Sequence, residues 1–232
     1  MKLREQADAI FAWGMKYREE HFPDSNNFAW HNHSHGAAEF AKKVAEQAGM
    51  DAERAYASGL LHDIGRYLGP HTGFYHIVDG YDFLKEKGMP EEIARICMTH
   101  SFNPQDSVDN LHLDNPEKEK RIKDYVKSLK YDDYDRLIQL ADYMSGSHGI
   151  STIERRYCSV MRRHGVLLSQ PRDVLNKLYE LKEHFNKKIG MDVYELFHDE
   201  IAKTPFLGIP GSMAPIDKEI KLKAKEQKGE NK

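Results

Sequence analysis

Apolar and polar residues follow a helical period along most of the chain. Apolar residues recur every three or four positions in Leu3–Met15, which predicts an amphipathic first helix. A similar stripe in Ala37–Ala48 predicts a second helix that ends at Gly49. Asp51 is placed to cap a third helix, which runs to His62. No segment alternates convincingly with period two, so we expect an all-α fold.

The helical period continues beyond these three segments and is interrupted at clusters of Gly, Pro and polar residues. Further helices are predicted near His76–Lys87, Glu91–His100, Glu117–Ser128 and Tyr134–Met144. The segments at 65–73 and 102–116 are rich in turn-forming or polar residues, so we expect both to be irregular connections.

A break at 146–149 separates these helices from a C-terminal group. Ser151 and Glu154 have the spacing of a capping box for the next helix. Pro171 stands at a first-turn position of a long helix that reaches Ile189, and Asp192 caps a shorter one. We therefore expect a helical bundle in residues 1–148 and a helical extension packed on it at 149–202. A docked arm and a frayed polar tail are expected at 203–232.

Composition narrows the classes of protein that fit this pattern. The 232 residues are 40% hydrophobic and 31% charged, and the formal net charge of -3 argues against a nucleic-acid binder or a polybasic membrane binder. Two cysteines, Cys97 and Cys158, are too few for a disulfide framework. No stretch approaches the roughly 18 apolar residues of a membrane span. We therefore expect a cytoplasmic protein that forms no stable complex with nucleic acid or membrane.

The stretch LLHDIGR places His62 and Asp63 side by side at the end of an apolar helix. A lone pair of this kind is most simply a solvated turn, but two other helices add residues of the same type. His33 lies on the core-facing stripe of the second helix, and Asp142 ends the apolar segment LIQLAD. Coordination of a divalent metal would remove the cost of burying these groups. Two histidines and two carboxylates suit Mn²⁺, Fe²⁺ or Co²⁺, with Mg²⁺, Ni²⁺ or Zn²⁺ as alternatives.

The order of these residues, H…HD…D, resembles the HD-domain superfamily of metal-dependent phosphohydrolases. The local words HSHGAAEFA, LLHDIGR and LADYMSG carry the resemblance, which covers roughly residues 30–145. It implies an HD-domain helical bundle with His33, His62, Asp63 and Asp142 as metal ligands. Within HNHSH the family pattern points to His33, and His35 is the competing first ligand.

The resemblance also raises a second metal position. In a subset of the superfamily, which includes bacterial diadenosine-tetraphosphate hydrolases, two further histidines bind a second ion and the HD aspartate bridges. His76 in HIVDGYDFL and His100 in ICMTHS stand in those contexts, so one or two ions per chain are expected. The alternatives are that both histidines contact substrate phosphate or sit in the core, and that His71 replaces one of them. Ser101 stands where a further histidine is frequent.

The activity implied by the resemblance is cleavage of a phosphoester or phosphoanhydride by a metal-activated water, with Asp63 and His62 in the catalytic centre. The expected substrate is a nucleotide or another small phosphorylated molecule. Arg66 is the best candidate for a phosphate clamp, and His71 and Arg155 are weaker candidates for phosphate contact. Arg156, beside Arg155, is equally a weaker candidate.

Two other functions stay open at this point. Some members of the superfamily use the same ligand pattern in a di-iron oxygenase. A catalytically silent nucleotide-binding regulatory module would also preserve the ligands. No GYP motif follows HDIG, which argues against a cyclic-di-GMP phosphodiesterase of the HD-GYP type. The extension at 149–202 would either cover the cleft or form a homodimer interface.

Overall fold

The computed structural model describes residues 2–69, 74–164 and 170–204, and these are predominantly helical. The first five helices are α1 (Leu3–His21), α2 (Asn27–Gln47), α3 (Ala52–Leu61), α4 (Tyr75–Glu86) and α5 (Glu91–Thr99). The remaining helices are α6 (Pro116–Ser128), α7 (Asp133–Met144), α8 (Ile153–His164), α9 (Pro171–Ile189), α10 (Val193–Leu196) and α11 (His198–Lys203). Short 3₁₀ helices cover Ile64–Leu68 and Gln105–Asn110. The predicted all-α fold is confirmed.

Local capping explains where the central helices begin and end. The Asn26 side chain accepts a hydrogen bond from the backbone N–H of Ala29 at the start of α2. The Asp51 carboxylate accepts from the backbone N–H groups of Glu53 and Arg54 at the start of α3, as predicted. Gly49, between these helices, has a φ of +65°, which glycine adopts without steric cost.

The C-terminal boundaries differ from prediction in three places. Strands β1 (Ser145–Gly146) and β2 (Gly149–Ile150) form an antiparallel hairpin, which is too short to produce a period-two pattern. The predicted cap at Ser151 is wrong by one residue, because α8 begins after Thr152 and the Thr152 hydroxyl accepts from Arg155 N–H. The short helix predicted after Asp192 is divided into α10 and α11 at Phe197.

The extension shares a hydrophobic core with the preceding bundle. Side chains of α2 and α7 pack with residues of α8, α9 and α10 in one buried cluster. The rings of Phe40 and Phe197 stack at a centroid distance of 4.4 Å, and Phe185 is fully buried in the same cluster. Helices α8, α9 and α10 therefore contact α2 and α7 through this cluster, while the division of the chain into domains stays a prediction.

Other expectations concern the ends and the surface of the chain. The arm and tail expected at 203–232 lie almost wholly outside the described residues. Among the described helices, none combines the length and the apolar character that crossing a bilayer requires. Cys97 is buried, whereas Cys158 is exposed, and neither is in a disulfide.

Candidate metal centre

The end of α3 brings His62 and Asp63 into the interior. Both residues are almost fully buried, at 1% and 4% exposure. The 3₁₀ helix Ile64–Leu68 follows at once and turns the backbone under α4. Gly65 allows the 3₁₀ helix to approach the backbone of α4 this closely, because a Cβ atom there would lie 2.1 Å from the carbonyl oxygen of His76.

One group of ligand-type atoms forms between α2, α3 and α7. His33 Nε2 lies 3.1 Å from His62 Nε2, 3.2 Å from Asp142 Oδ1 and 3.8 Å from Asp63 Oδ2. His62 Nε2 lies 3.9 Å from the same Asp63 oxygen. Three helices thus converge on one small volume with two imidazole nitrogens and two carboxylate oxygens.

A second group uses the other oxygen of Asp63. His76 Nε2, from α4, lies 3.1 Å from Asp63 Oδ1, and His100 Nε2, after α5, lies 3.5 Å from it. His76 and His100 are buried, at 3% and 4% exposure. Asp63 therefore stands between the two groups and presents one oxygen to each.

Backbone carbonyls determine which ring nitrogen faces the centre. The Nδ1 atoms of His33 and His62 lie 2.9 Å from the carbonyl oxygen of Ser145 and 2.7 Å from that of Gly59. His100 Nδ1 contacts the carbonyl of Cys97 at 2.9 Å. A carbonyl oxygen only accepts hydrogen bonds, so each Nδ1 carries a hydrogen and each ring directs its Nε2 towards the centre.

The charges of the centre depend on burial and on neighbouring groups. Burial lowers the pKa of His62 and of His76 to about 4 despite the nearby Asp63 carboxylate, so both rings are neutral at neutral pH. Burial alone would raise the pKa of Asp63, but Arg66, His76 and His62 together hold it well below its usual value. The pKa of Asp142 is likewise lowered, because contact with His33 outweighs burial.

Burial also lowers the pKa of His100, but the adjacent Asp63 carboxylate outweighs that effect and the net shift is upward. The carboxylates of Asp63 and Asp142 are therefore charged in the interior of the bundle.

This donor set fits a divalent cation. Asp63 Oδ1 is buried and has no hydrogen-bond partner among the described residues. The Nε2 atom of His62 and an oxygen of Asp142 both lie within about 3.2 Å of His33 Nε2, close enough for the three atoms to bind one cation together. Imidazole nitrogen and carboxylate oxygen are ligands that Mn²⁺, Fe²⁺, Co²⁺ and Zn²⁺ accept.

The other predicted site residues are placed as follows. His35 lies on another face of α2, where its ring contacts Phe11 edge-on at a centroid distance of 5.2 Å. Arg66 Nε donates to Asp63 Oδ2 at 2.5 Å, and its side chain is 37% exposed at the edge of the centre. Arg155 Nη1 donates to the carbonyl of Ile201 in α11 at 3.3 Å. His71 lies outside the described residues.

Two more arginines lie near the centre: Arg18, which sequence reasoning missed, and Arg156, which it gave as a weaker candidate for phosphate contact. Arg18 of α1 is only 6% exposed, and its Nη1 donates to the carbonyl of Arg66 at 2.6 Å. Its position one turn after Gly14 on the apolar stripe of α1 was the available signal. Arg156 Nη2 lies 3.9 Å from Asp142 Oδ1, so Arg156 reaches the centre where its neighbour Arg155 contacts α11.

Known proteins resemble this chain over part of its length. Residues 30–147 match the family model of the HD domain. A 69-residue segment is 38% identical to Ribonuclease Y of Thermosipho melanesiensis and covers 30% of this chain and 14% of that protein. A 104-residue segment is 32% identical to Ribonuclease Y of Desulfotalea psychrophila and covers 45% of this chain and 15% of that protein. The chain thus spans only a small part of these curated relatives, and no solved structure gave a significant match.

Proposed function

Because the chain belongs to the HD-domain family, we propose that it is a metal-dependent phosphohydrolase with two adjacent ion positions that share Asp63. The observation that carries this proposal is the position of Asp63, whose two oxygens face two separate sets of imidazole nitrogens. His33, His62 and Asp142 would complete the first position. His76 and His100 would complete the second position.

A divalent cation in such a centre lowers the pKa of a water molecule that it binds and neutralises charge on a phosphate group. The protein contributes the fixed orientation of the ligands, since the backbone carbonyls of Ser145, Gly59 and Cys97 hold three of the rings. Such outer contacts increase the basicity of the ligand and restrict its rotation. Mn²⁺, Fe²⁺ and Co²⁺ fit this mixture of nitrogen and oxygen best.

Arg66 is suited to hold phosphate at the edge of the centre. Its guanidinium pairs with Asp63 Oδ2, yet more than a third of the side chain is exposed. A cation bound to Asp63 would compete for that oxygen and make the guanidinium available to a phosphate oxygen. Arginine binds both carboxylate and phosphate through paired, charge-assisted hydrogen bonds. Arg66 would therefore pair with Asp63 in the metal-free protein and with a phosphate oxygen in the metal-bound protein.

We propose a nucleotide or another small phosphorylated molecule as the substrate. A second candidate is a phosphodiester bond of RNA, because the curated relatives are named Ribonuclease Y. The net charge of -3 does not favour a long polyanionic substrate, which supports the first candidate. A substrate panel should therefore contain nucleoside mono-, di- and triphosphates, a dinucleoside polyphosphate and a short RNA.

The decisive experiment measures metal content by elemental analysis and phosphate release from that panel. Asp63→Asn is expected to lose both ions, because the amide offers one weak ligand oxygen in place of two charged ones. Hydrolysis should fall by about 100-fold or more, since removal of even an outer contact to a metal ligand costs 10- to 100-fold. His33→Ala should lose one ion, and the matched control His35→Ala, two residues away on α2, should retain both.

The outcomes separate the open functions. An Asp63→Asn variant that keeps two ions would contradict the shared carboxylate. Oxygen consumption by iron-loaded protein without phosphate release would favour the di-iron oxygenase. Tight binding of a nucleotide without turnover in the presence of Mn²⁺, Fe²⁺, Co²⁺ or Mg²⁺ would favour the catalytically silent regulatory module.

A further inference from the structure

Helix α8 lies outside the segment that matches the HD-domain family model, but it contributes a charged residue to the centre. The match ends at residue 147, and α8 begins at Ile153. The β1–β2 hairpin reverses the chain after α7 and brings α8 back against it. Arg156 on α8 consequently approaches Asp142 near the end of α7, with 3.9 Å between Nη2 and Oδ1.

The guanidinium of Arg156 is mostly buried and incompletely bonded. Its side chain is 15% exposed. Its Nε atom is shielded from solvent and has no hydrogen-bond partner in the part of the chain that the structure describes. A buried donor without a partner is destabilising, and native proteins keep few of them. Arg156 therefore has unused donor capacity beside a proposed metal ligand.

A hydrogen bond to Asp142 does not account for this placement. At 3.9 Å the contact is too long for a hydrogen bond, and the same Asp142 oxygen lies 3.2 Å from His33 Nε2. Asp63 and Asp142 supply two negative charges, and Arg66 and Arg156 already supply two positive ones. One or two divalent cations would leave these groups with a clear excess of positive charge, which an anionic ligand would balance.

We infer that Arg156 binds an anionic oxygen of the phosphoryl group that occupies the metal centre, and that α8 thereby contributes a phosphate-binding residue from outside the HD domain. This inference rests on the proposed function. Arg66 would contact the anion from the Asp63 side, and Arg156 would contact it from the Asp142 side. The planar guanidinium suits this role, because it offers its Nε and Nη donors in one direction.

The test is calorimetric titration of Mn²⁺-loaded protein with inorganic phosphate, accompanied by measurement of Mn²⁺ per chain. Arg156→Gln should weaken phosphate binding by about 10- to 100-fold, the loss expected for a charge-assisted hydrogen bond. Its Mn²⁺ content should equal that of the wild type, because no ligand has been removed. The matched control is Arg172→Gln, which removes an exposed arginine of α9 and should change phosphate affinity by less than about twofold.

Each result decides the matter. Unchanged phosphate affinity in Arg156→Gln would overturn the inference. Loss of Mn²⁺ from this variant would also overturn it, because Arg156 would then only position the ligand Asp142. If Arg156→Gln does not fold, Arg156→Lys is the alternative variant. It keeps the positive charge but lacks the paired guanidinium donors, so its phosphate affinity should be intermediate. Phosphate binding is measured without turnover, so a wild-type protein that binds phosphate through Arg156 but hydrolyses nothing would contradict the proposed function alone.

Discussion

The contact at Gly65 leads to a prediction that links the fold to the second ion position. An ideal Cβ atom at this residue would lie 2.1 Å from the carbonyl oxygen of His76 and 2.6 Å from the backbone nitrogen of Gly80. Both atoms belong to the backbone of α4, so a change of side-chain rotamer cannot relieve the clash. Gly65→Ala must therefore separate the 3₁₀ helix from α4.

The size of that separation follows from the distances. Moving the carbonyl oxygen of His76 to an ordinary contact of 3.4 Å needs about 1.3 Å of displacement, and overpacking of this kind costs about 1–3 kcal/mol. The displacement would carry His76 away from Asp63, whose Oδ1 lies 3.1 Å from its Nε2. Metal–ligand distances tolerate only about 0.2 Å of variation, so the second position should fail. The first position depends on α2, α3 and α7 and should survive.

Elemental analysis and thermal unfolding test this prediction. Gly65→Ala should bind one fewer Mn²⁺ per chain than the wild type, and its melting temperature should fall by about 2–4 °C for each kcal/mol lost. Gly146→Ala is the matched control, because a Cβ atom there meets its nearest neighbour, the carbonyl oxygen of Gly149, at 3.5 Å. A Gly65→Ala protein with unchanged metal content and melting temperature would refute the reasoning.

Two further predictions concern buried charge. His62 and His76 protonate at a pKa of about 4 in the fold but near 6.5 in the unfolded chain, so the unfolded state binds more protons between these values. In EDTA-treated protein, these two histidines should not reduce the free energy of unfolding above pH 6.5, and should reduce it as the pH falls towards 4. A urea midpoint at about pH 5 that equals the midpoint at neutral pH would argue against this. Arg95 pairs with Asp135, which is fully buried, so Arg95→Met should cost about 3–5 kcal/mol in urea unfolding. A loss below about 1 kcal/mol would contradict the reasoning that a buried, charged Asp135 depends on Arg95.

Local sequence signals determined most of the helical architecture. Asp51 predicted the start of α3, and Pro171–Ile189 was predicted with the bounds that the structure shows. Capping and helical periodicity depend on residues within one or two turns of each other, so they can be recognised without the tertiary structure. The same signals placed His62 and Asp63 at the end of α3, and the addition of His33 and Asp142 from two other helices led to the prediction of a metal centre.

Tertiary packing decided which side chains meet. His33 and His35 lie two residues apart and therefore on different faces of α2, and the hairpin carbonyl of Ser145 orients the His33 ring within the centre. Arg155 and Arg156 are adjacent in the chain, yet the packing of α8 against α7 directs Arg156 to Asp142. Helical periodicity shows which residues share a face, but the neighbour that each face meets depends on contacts between segments far apart in the sequence. Local patterns therefore sufficed to predict the helices and the residue types of the centre, whereas the geometry of the centre depends on contacts between distant segments.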